Sequence, residues 1–91
     1  MLRRQPSIAD LSNLGPKSRD ALARVGITSL AQLRKHGSIA AYSLARSKTA
    51  SVSLNLLWAL EGALTGVHWR VVAREHRASL LLALEEYDRR A

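Results

Sequence analysis

Cysteine is missing altogether from the 91 residues, which removes disulfide staples and thiolate metal sites and fits a reducing, cytoplasmic location. Low-complexity tracts are missing too, and 47% apolar residues are ample for one hydrophobic core, which argues against a disordered chain. No long greasy run exists. The longest, Leu54 to Leu64, is interrupted by Asn55 and Glu61 and is too short to cross a bilayer, so it reads as a buried helix. The opening MLRRQPSIAD is basic but lacks the apolar stretch of a secretory signal. Alternating apolar–polar runs are absent and β-branched residues sparse, which argues against strands. Acidic residues are scarce: seven Asp and Glu face fourteen Lys and Arg, for a net charge of +7. Such a balance favours anionic partners, nucleic acid ahead of an acidic protein or a membrane surface. Eleven of the fourteen basic residues are Arg, a bias that GC-rich coding produces whatever the function.

What is present is rich in Leu and Ala and punctuated by Gly, Pro and Ser. One domain spanning 1–91 is expected, its core between residues 7 and 89. Ser7 and Asp10 open a first helix that turns Ile8 and Leu11 inward and ends near Ser12, where Asn13 tolerates left-handed backbone. Pro16 suits a first helical position, and a second helix runs to about Val25 with Ala21, Leu22 and Val25 inside and Gly26 as its stop. Thr28 or Ser29 caps a third helix that buries Leu30 and Leu33 and ends at Gly37. Ser38 opens a fourth, through about Arg46. A fifth begins at Ser51 or Ser53 and is apolar on nearly every side, so it belongs at the centre of the fold. Gly66 breaks it, and VHWRVVAREHR restarts the chain as a short turn or helix. A last helix of about Arg74 to Arg89 places Leu80, Leu81, Leu84 and Tyr87 inward. The fold class is all-α, a compact bundle of five to six short helices.

LSNLGPKS, followed by Leu22, Val25-Gly26-Ile27 and Leu30, resembles a helix-hairpin-helix. In that motif a Gly-apolar-Gly hairpin joins two helices, Pro-Lys often follows, and a Gly-Ile step ends the second helix. Asn13 stands in for the first glycine, which its access to left-handed backbone allows. Together with VGITSLAQLRKHGSIAAY, SLNLLWALEGALTGVHWR and HRASLLLAL, the stretch resembles the C-terminal domain of the TfoX/Sxy proteins, a family linked to bacterial DNA uptake competence. The likeness runs from Leu11 to Leu84, and NLLWALEGAL followed by HWR is its most distinctive part. It implies a small helical domain related to helix-hairpin-helix folds, with a regulatory role and no enzymatic chemistry. Longer members carry a further domain upstream that this sequence lacks, so the expectation transferred is the fold and not the induction of competence genes.

With Gly15 as a helix N-cap and Pro16 as the first helical residue, the N–H groups of Gly15, Lys17 and Ser18 lack intrahelical partners. They converge at the positive end of the helix dipole, where Lys17 adds a charge and Ser18 a hydroxyl. Asn13, Gly15, Lys17, Ser18 and Arg19 are therefore candidate nucleic-acid contacts, of the kind that position a protein on phosphates without reading bases. The same turn also serves as a plain chain reversal with water on its N–H groups. Arg70, Arg74 and Arg77 share a face if their stretch is continuously helical and form a second candidate phosphate run. A solvated face partly neutralised by Glu75 is the simpler account of them. Arg34 and Lys35 suit a helix C-terminus, and Arg46 with Lys48 extends a basic surface beside a loop. Trp58 reads as core, and Trp69 as a core plug or lid sooner than a stacking platform. Asn55 and Glu61 would be costly inside unless each bonds to backbone or to a neighbouring Arg.

His36, His68 and His76 lack the spacing of a metal site, and there is no HExxH, G-x-S-x-G, P-loop or Cys nucleophile. Neither an enzyme nor a metal, cofactor, small-molecule substrate or membrane partner is expected. Two functions stay open. One is a non-enzymatic regulatory module contacting DNA non-specifically through the hairpin. The other is a protein-interaction module, with a protein partner or a homodimer covering part of the apolar fifth helix.

Overall fold

The helix starts at Pro16 and Ser29 and the helix stop at Gly66 trace to residues that suit a helix end. The computed structural model describes residues 14–90, so the expected helix at Ser7 to Ser12, and Asn13, lie outside the described residues. Within them run α1 (Pro16–Ala23), α2 (Leu30–Lys48), α3 (Leu54–Thr65), α4 (Trp69–Glu75) and α5 (Arg77–Arg90). Pro16 begins α1 behind an extended Gly15, and the helix closes at Ala23, two residues short of the expected Val25. Ser29 starts α2 with a capping box: its Oγ accepts from the Gln32 N–H at 3.1 Å, while Gln32 Oε1 accepts from the Ser29 N–H at 3.1 Å. Inside α2, Gly37 sits at φ 79°, ψ 163°, so the expected third and fourth helices are two helical runs joined at one non-helical residue. That backbone region is open to glycine and almost nothing else. Gly66 ends α3 in left-handed backbone, φ 76° and ψ 10°.

Five consecutive residues of α3, Leu56 to Leu60, are buried, which exceeds one turn and means that protein surrounds the helix. α2 and α4 pack against it, while α1 and α5 pack on α2. Leu22, Ile27, Leu33, Leu57, Leu60 and Val72 form the fully enclosed centre. Each contributes about 1.5–3 kcal/mol by leaving water. Tyr42 is buried with them, a core position that the sequence pattern did not single out. Among the described residues no helix is long and apolar enough to cross a membrane.

Three expectations about polar and terminal residues need correcting. Asn55 is exposed, because it lies in the first turn of α3 before the helix enters the core. Glu61 is paired with neither backbone nor an arginine; its Oε1 accepts from the Ser38 hydroxyl at 2.8 Å, joining α3 to the second run of α2. The last helix starts at Arg77, and Tyr87 on it is 37% exposed. Tyr87 lines a shallow surface hollow with Leu44 and Asp88, keeping its phenol beside water.

Candidate functional site

Gly15 takes φ −79°, ψ 176°, and its carbonyl accepts the first α1 hydrogen bond from the Arg19 N–H at 3.0 Å. Gly15 has no side chain to cap the helix, and the N–H groups of Gly15, Lys17 and Ser18 make no hydrogen bond within the described residues. Leu14, 4% exposed, anchors the turn to the core, which holds Gly15, Pro16 and Lys17 at the surface. Lys17 is in none of the ion pairs among the described residues. The backbone arrangement expected at Gly15 to Ser18 is thus present, with a positive helix end and an ammonium side by side.

Beside the turn lies a groove of about 560 Å³ between α1, the α2–α3 connection, the start of α3 and Trp69. Lys17, Ser18, Asp20 and Arg24 form its α1 wall. Thr49, Ser51, Ser53 and Asn55 supply hydroxyl and amide groups on the facing wall. Ala21, Val52, Leu56, Ala59 and Trp69 give it apolar surface. Arg24 Nη1 donates to Thr49 Oγ1 at 3.3 Å, which ties the end of α1 across to that connection. Ser53 is the N-cap of α3 but its side chain makes no capping bond, so a second uncapped helix start borders the same groove.

The two ends of the chain differ in charge. Residues 1–60 hold nine Lys and Arg against two Asp and Glu, whereas residues 61–91 hold five of each. The formal +7 therefore belongs to the segment that carries α1, α2 and their connections. Carboxylates of the other segment are spent on local pairs: Arg74 with Glu75 at 3.8 Å, and Arg89 with Glu85 at 2.9 Å and Glu86 at 3.3 Å. Asp88 reaches back to Arg46 at 2.9 Å, and that hydrogen bond raises the Arg46 pKa above its already high ordinary value. Arg46 is thereby removed from the expected basic surface.

The arginine stripe does not survive. α4 ends at Glu75 and His76 has φ −112°, ψ 4°, so Arg70, Arg74 and Arg77 are not on one continuous helix. Arg77 lies over the Trp58 ring at 5.6 Å, and Arg70 over the Trp69 ring at 5.3 Å. Arg70 alone of the three is linked to the groove, through Trp69. Trp69 itself is half-buried, packed against the core and stacked with His68 at 5.9 Å between centroids. No three His, Asp or Glu residues come together as a metal site among the described residues.

Sequence reasoning found the turn and missed the groove. Arg24, Asn55 and Trp69 meet there from distant parts of the chain, and only the paired serines before an all-apolar helix hinted at a polar wall.

The profile of the TfoX C-terminal domain matches residues 4–84. The chain belongs to that family. It is 32% identical over 89 residues to the DNA transformation protein TfoX of Haemophilus influenzae, an alignment covering 98% of this chain and 41% of that protein. The chain therefore spans about two fifths of the length of that curated relative. The crystal structure of an uncharacterized protein from Listeria monocytogenes, in its triclinic form, shares the fold with a TM-score of 0.76 at 26% identity, over 90% of this chain and 93% of that one. The TfoX C-terminal domain is thus seen here as an all-helical unit whose α1 turn and groove bring together the residues described above.

Proposed function

We propose that this TfoX C-terminal domain is a non-enzymatic regulatory module that holds DNA by its phosphates through the Gly15–Ser18 turn. The observation that carries the proposal is the exposed Lys17 ammonium, with no carboxylate partner among the described residues, beside N–H groups that α1 leaves unbonded. Backbone amides and a lysine suit a phosphate oxygen and carry no base preference. The excess of positive charge over residues 1–60 gives the long-range attraction. A relative that is a DNA transformation protein supports the same direction. Arg19 in the first turn of α1 and Arg70 above Trp69 are the arginines placed to assist, and Asn13 belongs to the turn on sequence grounds.

The rival, a protein-docking surface, has Leu82 at 64% exposure and Tyr87 as the large apolar residues in solvent among the described residues. Singly exposed residues of that kind are ordinary on any soluble domain and select no partner.

Titration of labelled duplex DNA across a range of salt concentrations tests the proposal. Log affinity should fall linearly with log salt, with a slope of about −0.9 for each phosphate neutralised. Lys17→Ala should weaken binding alike on all sequences and reduce the slope by about one unit. An unchanged slope and affinity at low salt would remove the turn from the interface.

A further inference from the structure

We propose that the groove takes an unpaired base of single-stranded DNA against Trp69, with the flanking phosphate held at the rim by Lys17 and Arg24. This rests on the phosphate-binding reading above and adds which form of DNA the site selects.

Shape is the first argument. At about 560 Å³ the groove falls among small-molecule pockets, roughly 300–1,000 Å³, and so has room for a nucleotide. A duplex offers phosphates on a convex surface and keeps its base faces stacked inside, so no base face of B-DNA reaches the interior of a concavity. An unpaired base does. The wall is the second argument. Trp69 with Leu56 and Ala59 supplies apolar lining for a π face, and Ser53 and Asn55 at the start of the same α3 donate and accept without favouring one base edge. Stacking of this kind tolerates any sequence, because every base has a π face. Charge is the third. Lys17 and Arg24 outnumber Asp20, the single carboxylate on the wall among the described residues. The Arg70 guanidinium lies over the same indole at 5.3 Å, so a base that stacks on the face it covers takes the place of that cation, which then turns to the flanking phosphate.

The test compares a labelled thymidine oligonucleotide of about 15 nucleotides with a duplex of equal length, by anisotropy and by tryptophan fluorescence. The single strand should bind several-fold tighter and quench the fluorescence. Trp69→Leu keeps apolar packing but removes the π face; it should cost about 5- to 100-fold on the single strand and under about twofold on the duplex. Trp69→Phe should retain most of the affinity. Should Trp69→Leu lower the thermal midpoint, Asn55→Asp at an exposed rim position carries the test, with a several-fold larger loss on the single strand than on the duplex. Equal affinity for the two forms, with Trp69→Leu leaving their ratio unchanged, overturns this inference. A Lys17→Ala effect on both forms in that experiment would leave the phosphate reading standing, and no Lys17 effect on either form sinks both. Competition by free thymidine monophosphate as strong as by the oligonucleotide would assign the groove to free nucleotides and overturn the strand proposal.

Discussion

Replacing Gly37 by Ala isolates the energy stored at the break inside α2. A Cβ at this position meets nothing within 4 Å, so the substitution creates no clash. The penalty is purely one of backbone conformation. At φ 79°, ψ 163° a residue with a side chain costs about 1–3 kcal/mol, because only glycine populates that region readily. Against this, Ala restricts the unfolded chain and recovers about 0.4–1 kcal/mol. With the middle of each range the net destabilisation is about 1.3 kcal/mol. For a domain of this size that lowers the thermal midpoint by roughly 5–10 °C. Thermal unfolding by circular dichroism measures it, and urea unfolding should give a lower midpoint with an unchanged slope. Gly37→Asn should fare no better than Ala, since asparagine's advantage lies in left-handed backbone with ψ near +47°, far from 163°. At Gly66, with ψ 10°, asparagine should be the milder substitution. A midpoint within a degree of the parent for Gly37→Ala refutes the reasoning, and a rise would mean that the two runs of α2 fuse into one straight helix without cost.

The Ser38–Glu61 bond offers a second measurement. Glu61→Ala leaves the buried Ser38 hydroxyl without its acceptor and should cost about 1–3 kcal/mol, while the double variant with Ser38→Ala should cost less than the two single losses added. Additive losses in that cycle would show the bond to be inert. Arg46 and Asp88 are 39% and 42% exposed, so Asp88→Asn should cost only about 0.2–1 kcal/mol and the difference should shrink in high salt. Because the folded-state pKa of Arg46 is raised, its contribution is complete below arginine's ordinary value and is lost only as pH climbs through the folded one. Unfolding curves of the parent and Asp88→Asn should therefore keep a constant separation from neutral pH up to mildly alkaline conditions, and a gap that closes there would contradict the pairing.

How far the sequence could be read depended on whether a boundary is written locally. Gly37 and Gly66 announce themselves, because their positive-φ backbone strongly favours glycine, and Ser29 with Gln32 spells out a cap. α3 was legible from its apolar residues alone, since a helix without a polar face has to be enclosed. The break between α4 and α5 was legible only roughly, with the last helix expected from about Arg74 where it starts at Arg77. It falls at His76, a residue with no bias against helix, and neither Gly nor Pro marks it; packing decides it, with Val72 and Leu80 buried on either side. The arginine stripe failed for that reason. Tyr87 was misplaced by extending the Leu80–Leu84 spacing past the last buried residue of α5. The turn at Gly15 was readable because its chemistry is confined to four neighbours. The groove needs residues 17–24, 49–59 and 69 at once, and no window along the chain contains them.

Two leucines, Leu80 and Leu84, and the Arg46–Asp88 link hold α5 to the body, whereas α3 buries Leu56 to Leu60 without a break. Stability is therefore graded along the chain. Peptide amides of the final turns should trade their hydrogens with solvent long before those of α3, and a load pulled from the carboxyl end would peel α5 away first. The surface so uncovered is an apolar seam, which makes the earliest step of unfolding also the moment when this basic, charge-repelled protein is most apt to stick to itself.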